Sequence, residues 1–213
     1  ARVKEQVRQE AAALSRLPGL AVILVGEDPA SQIYVRGKER DCAECGIRTR
    51  THRLPAAVSQ RALSALVDRL NRDGDVDGIL VQLPLPEGLD PRPILHAVSP
   101  EKDVDCFHPL NGGRLALGEP GFRPCTPAGI LALLDAYEIP VRGRHCVILG
   151  RSTLVGRPLA QLLTGRDGTV TLCHSHTWDL PALTRRADIL VSAVGRPGLV
   201  TADMVKPGAA VID

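Results

Sequence analysis

Aromatic side chains are scarce in this sequence: two Phe, two Tyr and one Trp make up 2% of its 213 residues. With only two tyrosines, one that stands beside a lysine draws attention. No apolar run approaches the ~20 residues that a membrane-spanning helix requires, and no secretory leader pattern is visible. Charge of one sign is missing too: 26 Lys and Arg against 24 Asp and Glu leave a net charge of +2. That balance argues against a nucleic-acid or membrane surface as partner. Six cysteines are present, but Cys42-x-x-Cys45 has no second pair and lies inside an expected helix. Cys146 and Cys173 fall in expected buried strands. Such thiols behave as small apolar residues in a reducing compartment, so neither metal nor disulfide is expected. Internal repeats and low-complexity segments are also lacking. These exclusions leave a cytoplasmic α/β protein. The chain opens at Ala1 and stops at Asp213, directly after a strand-like run Ala209–Ile212. A domain seldom ends on an uncovered central strand, so both ends are expected to be trimmed.

Strands and helices alternate along the chain, which predicts mostly parallel sheet with helices on both faces. Arg2 to Leu17 reads as a helix stopped at Pro18-Gly19, and Leu20–Val25 as a buried strand. Asp28-Pro29 supplies a side-chain cap and a first-turn proline for a helix running to about Cys45. A polar strand near Arg48–Leu54, an amphipathic helix from Ser59 to about Asn71 and a strand over Asp77–Gln82 follow. Residues 100–126 read as a polar, Gly/Pro-rich connection, and the chain is divided there into domains 1–124 and 125–213. The second domain holds a helix from about Ala128 to Tyr137, a strand–turn–helix unit, and strands Ile189–Val194 and Ala209–Ile212.

That unit, His145 to Pro158, is the most informative segment. The apolar run Val147-Ile148-Leu149 ends at Gly150, and a helix-compatible run follows from Val155 to Leu163. Glycine lets the backbone turn sharply, and a helix N-terminus there offers free N–H groups to a phosphate. The spacing, Gly150 to Gly156, is not the G-x-G-x-x-G of many dinucleotide folds and by itself is weak. Its surroundings add to it. Arg151 and Ser152 sit in the turn, and the next strand, Thr169–Cys173, runs into His174-Ser175-His176-Thr177. An NAD site normally has Asp or Glu at that second strand end, to hold the ribose 2′-hydroxyl. Hydroxyls, imidazoles and a nearby arginine suit a 2′-phosphate instead. The expected cofactor is NADP.

In the first domain Tyr34 and Lys38 stand four residues apart, on one helix face. A half-buried Tyr shielding the stem of a surface Lys is one reading. The other is a desolvated lysine that exchanges protons near neutrality. Gln82 closes an apolar strand at the end where ligands gather in α/β sheets, and a neutral amide there can hold a lysine without fixing it as a salt-bridged cation. A solvated strand end is the alternative. Asp103 and Asp105 are at strand-like spacing, hence on the same side, and a carboxylate of this pair can accept two N–H donors from a fused heterocycle. His174 and His176 read as cofactor-edge or solvent residues.

At this point Val25–Lys38, Asp77–Pro86, Lys102–Asp105, Arg123–Pro127, Gly150–Pro158, Cys173–Ser175 and Lys206–Asp213 resemble, in order, the methylenetetrahydrofolate dehydrogenase/cyclohydrolase family. The resemblance implies an N-terminal αβ substrate domain and a C-terminal Rossmann-like NADP domain, with the active cleft between them. It implies a homodimeric enzyme of one-carbon metabolism and purine biosynthesis that binds tetrahydrofolate derivatives. Such an enzyme oxidises 5,10-methylenetetrahydrofolate with NADP and hydrolyses the 5,10-methenyl product to 10-formyltetrahydrofolate. It further implies that Lys38 is the main group in the hydrolysis, Tyr34 packs on the folate, Gln82 tunes the lysine and Asp105 holds the pterin. Backbone at Val81 and Leu83 lines the folate slot, and Gly150, Arg151, Ser152, Gly156 and Ser175 surround the cofactor phosphates. Two residues depart from the family pattern: Cys106 where glycine is usual, and His176 where Arg or Lys is common. The family also continues past Asp213 with cofactor and folate loops and a returning helix. The competing readings are a non-catalytic NADP-binding fragment and a two-domain dehydrogenase of shikimate-dehydrogenase type.

Overall fold

The chain's structure, a computed structural model, describes residues 2–213 and divides into two compact units at Pro109/Leu110. The division falls inside the Gly/Pro-rich stretch singled out in the sequence. That stretch is not irregular throughout, because it contains a helix over Pro109–Leu117. Pro109 takes the first helical position, where its missing N–H costs nothing, and Leu115 packs on the core of the second unit.

The first unit contains helix α1 (Arg2–Ala12), strand β1 (Gly19–Val25), α2 (Pro29–Glu44), β2 (Arg48–Leu54), α3 (Gln60–Arg72), β3 (Gly78–Val81) and α4 (Pro91–Ala97). Its three strands are parallel, in the order β2-β1-β3. Because side chains alternate along a strand, β1 feeds two cores. Ala21, Ile23 and Val25 meet Leu63, Leu66, Val67 and Leu70 of α3 and Ile94 of α4. On the opposite face Val22 and Leu24 meet Leu80 of β3 and Val35 of α2. Each fully buried Leu, Ile or Val contributes roughly 1.5–3 kcal/mol, so these two layers outweigh the surface ion pairs around them. Asp28 caps α2 by accepting from the Ser31 amide at 2.7 Å, and that bond holds its carboxyl below the usual range. The expected helix to Leu17 stops at Ala12. Only Ala11 of α1 is buried, while Leu14 and Leu17 remain exposed, so no apolar face rewards the extra turn.

The second unit begins with the helix Pro109–Leu117, here α5, followed by α6 (Cys125–Ala136), β4 (His145–Leu149), α7 (Gly156–Thr164), β5 (Thr169–Cys173), α8 (Leu180–Thr184), β6 (Ile189–Ser192), a short 3-10 turn and β7 (Ala210–Ile212). The sheet is again parallel, in the order β5-β4-β6-β7. Cys146 and Ile148 of β4 pack under α6 and α7, while Val147 and Leu149 face α8 with Leu190. This is the two-faced α/β arrangement expected, with a Rossmann-like crossover of β4 through α7 to β5. All six thiols are free, and burial pushes that of Cys146 up to about 11.

Candidate functional site

Two constellations lie at the carboxyl ends of parallel strands, one in each unit. In the first, β3 continues its ladder one residue past its end, because the Gln82 amide donates to Ile23 carbonyl at 2.9 Å. Gln82 therefore keeps the parity of Leu80 and projects to the face covered by α2. On α2 the buried positions are Ser31 and Val35, and Lys38 follows Val35 by three residues on the same stripe. Helical side chains lean toward the helix N-terminus, which carries the lysine toward the strand ends. The two meet: Lys38 Nζ donates to Gln82 Oε1 at 3.2 Å. Gln82 Nε2 donates to Leu83 carbonyl at 2.8 Å, which leaves the amide oxygen facing the ammonium. Lys38 forms no ion pair among the described residues, so its partner is a neutral dipole. A bond of this kind orients the lysine without adding a full opposing charge.

Tyr34 differs from the expectation of a half-buried ring. It is 66% exposed. Val81 ends β3 buried and Leu83 follows Gln82 directly, so the main chain of both lies at the same strand end as Gln82. The two aspartates take up different settings. Asp103 forms an isolated parallel bridge with Ile79 and is 4% exposed. Its two carboxylate oxygens accept the amides of Phe107 (3.0 Å) and His108 (2.8 Å). Residues 104 and 105 then turn instead of extending, so the strand-like same-side spacing is broken, and Asp105 is the half-buried member at the turn. Cys106 follows at φ 59°, the left-handed region that glycine adopts more readily. Lys102, in the same segment, is structural: its ammonium donates to the carbonyls of Leu70 (3.1 Å) and Asp73 (2.8 Å) at the end of α3.

In the second unit a cleft of about 530 Å³ opens over the end of β4. Gly150, Arg151, Ser152, Ser175 and Arg196 line it, and no carboxylate does. Gly150 has φ +107°, and a Cβ there would sit 2.7 Å from the Ala193 carbonyl oxygen. Gly156 is needed for a different reason: a Cβ would overlap the Gly150 carbonyl oxygen and lie 2.7 Å from its carbon. The start of α7 thus presses backbone to backbone against the turn. Ser175 is held exposed at the tip of a tight turn, where His174 N–H donates to Thr177 Oγ1 (2.7 Å) and Thr177 N–H returns to His174 carbonyl (2.9 Å).

One expectation is corrected here. The α7 N-terminus does not present free amides. The Val155 and Gly156 amides donate to Ser152 Oγ (3.1 and 3.4 Å), the Arg157 amide donates to Ser152 carbonyl (3.1 Å), and Pro158 has no N–H. Ser152 therefore builds the turn with its hydroxyl. Arg196 escaped the sequence reading, although Gly195-Arg-Pro-Gly198 directly after a buried strand marks a turn at the ligand end of the sheet. An acid-free wall with two arginines, over a glycine turn that admits close approach, fits a dinucleotide bearing an extra phosphate. Cys173 also lines the cleft, but burial pushes its thiol up, away from nucleophilic use.

Residues 1–105 match the tetrahydrofolate dehydrogenase/cyclohydrolase catalytic domain, and residues 124–213 match the NAD(P)-binding domain of the same family. A bifunctional protein FolD from Nitratidesulfovibrio vulgaris is 58% identical across the whole chain, which spans 75% of that protein. The chain belongs to the tetrahydrofolate dehydrogenase/cyclohydrolase family. This family membership removes the reading as a shikimate-type dehydrogenase. Among solved structures of the family, the bifunctional FolD enzyme of Campylobacter jejuni superposes with a TM-score of 0.96 at 46% identity, covering 99% of this chain and 76% of that one. The Trypanosoma brucei dehydrogenase–cyclohydrolase, solved with NADP cofactor and an inhibitor, gives 0.94 at 40% identity, over 99% of this chain and 74% of that one.

Proposed function

We propose that the chain oxidises 5,10-methylenetetrahydrofolate to the 5,10-methenyl cation with NADP, and adds water to that cation to give 10-formyltetrahydrofolate and a proton. The observation that carries the reading is Lys38, paired with the neutral Gln82 rather than a carboxylate, beside an exposed Tyr34. Tyr34 offers a flat face for the folate, Asp105 accepts N–H donors of the pterin, and main chain at Val81 and Leu83 lines the slot. NADP supplies the hydride acceptor for the first reaction, so the protein's part there is orientation. Gly150, Gly156, Arg151, Ser152 and Ser175 hold the cofactor, with Arg151 and Ser175 toward the 2′-phosphate. In the hydrolysis Lys38 carries the proton between the attacking water and the opening C–N bond, and Gln82 keeps its Nζ in place.

The test is direct. Purified protein is given methylenetetrahydrofolate with NADP or NAD, and methenyl formation and its hydrolysis are followed by absorbance. NADP is expected to bind about ten- to a hundredfold more tightly than NAD, the magnitude of one charge-assisted phosphate contact. Turnover of neither folate would overturn the reading, and equal dissociation constants for the two dinucleotides would remove the NADP assignment. Edge strand β2, paired only with β1 among the described residues, supports a homodimer built by strand addition, which sedimentation would check. The family's metabolic role and the free thiols support a cytoplasmic setting.

A further inference from the structure

The geometry points to Arg196 as the residue that holds the dinucleotide pyrophosphate, a role separate from the reading of the 2′-phosphate; this rests on the NADP reading above. Three observations carry it. The first is need. The amides at the start of α7 are consumed by Ser152 and interrupted by Pro158, so this helix gives a diphosphate little of the usual N-terminal support. A diphosphate lying over Gly150 would therefore gain from a cation elsewhere in the wall. The second is availability. Arg196 lines the same cleft, is exposed and forms no ion pair among the described residues, and no acid in that wall competes for it.

The third is position. In the order β5-β4-β6, Ser175 follows β5 and Arg196 follows β6, so they flank the Gly150 turn from opposite sides. Neighbouring strands are about 4.8 Å apart, which places the two strand ends roughly 10 Å from each other with the turn midway. A ribose phosphate held at Ser175 and Arg151 thus leaves Arg196 facing the middle of the dinucleotide. Its backbone is anchored as well. Leu199 N–H closes on Arg196 carbonyl at 3.3 Å, with Pro197 at the second turn position and Gly198 at φ +76°, the pattern of a type II turn. The arginine stem thus starts from a fixed point.

The experiment compares Arg196→Gln and Arg151→Gln with the parent by calorimetric titration of NADP and of NAD, with Arg196→Lys as the charge-keeping control. Both dinucleotides carry the pyrophosphate and only NADP carries the 2′-phosphate. Arg196→Gln should weaken both by about tenfold and leave their ratio unchanged within about twofold, as expected for one charge-assisted contact. Arg196→Lys should recover part of the loss for both. Arg151→Gln should instead lower NADP affinity selectively and collapse the ratio. Parent-like binding of both dinucleotides by Arg196→Gln overturns the assignment alone, and so does a loss confined to NADP. A parent protein that binds neither dinucleotide overturns the NADP reading, and the assignment with it.

Discussion

Replacing Gln82 by Glu tests whether neutrality beside Lys38 matters. Gln82 accepts from Lys38 at 3.2 Å and donates to Leu83 carbonyl at 2.8 Å. In Gln82→Glu both terminal atoms become acceptors. One then confronts the Leu83 carbonyl with no proton between them, losing a bond that contributes about 1 kcal/mol. The other meets the ammonium. At 3.2 Å two unit charges attract by about 5 kcal/mol at an effective dielectric near 20. Both side chains are only partly buried, so hydration and lost rotamer freedom reduce this to about 1 kcal/mol. Lost bond and gained pair nearly offset, and stability against urea should change by less than about 1 kcal/mol. Chemistry has no such offset. A proton leaving Lys38 must now be drawn away from a carboxylate, and a penalty of about 1 kcal/mol slows that step about fivefold. The assay is decay of methenyltetrahydrofolate absorbance at fixed pH, with urea unfolding of the same samples. A Gln82→Glu protein of parent stability that hydrolyses the methenyl compound at the parent rate would refute the reasoning.

Three further outcomes are expected. Lys38→Met should cut methenyl hydrolysis at least ~100-fold, the scale of a removed general acid–base group, while its retained stem volume keeps folate binding less affected; a correctly folded variant at the parent rate returns Lys38 to a surface role. Gly156→Ala forces α7 away from the Gly150 turn, so NADP affinity should fall by more than about tenfold with an overpacking cost of roughly 1–3 kcal/mol; unchanged titration curves would show that the close approach is dispensable. Asp103→Ala strips the acceptor from two amides and should lower unfolding free energy by about 3 kcal/mol, with Asp103→Asn milder because one oxygen still accepts; a parent-like urea midpoint for the alanine variant would contradict this.

Where period and burial agree, the elements were legible in the sequence. Strands β2 and β5 fall at Arg48–Leu54 and Thr169–Cys173 as expected, because β-branched residues and flanking turn residues leave one assignment open. Helices α4, α5 and α8 were missed. They are 7, 9 and 5 residues long, too short to show a helical period, and a proline in the first turn of each reads as a breaker when its position is unknown. Within the sites, the approach of Lys38 to Gln82 follows from strand parity and helix stripe, both visible in the chain. The fate of Asp103 does not, since strand-like spacing between two aspartates carries no information about amides at Phe107 and His108. The turn-building contacts of Ser152 do not follow from the sequence either: a hydroxyl beside a glycine turn can face a phosphate or its own backbone, and the fold shows it accepting the Val155 and Gly156 amides.

Lys38 stands on α2 and Gln82 at the end of β3, two elements whose spacing is set by Val22, Leu24, Val35 and Leu80 packed between them. The reach from Nζ to the amide oxygen is thus inherited from four aliphatic side chains that touch no ligand. Trimming Val35 or enlarging Val22 would act as a spacer change, altering where the ammonium comes to rest without altering its chemistry. With Lys38 in the proposed role, variation in that inner layer would retune hydrolysis while the residues proposed to face the folate stay the same.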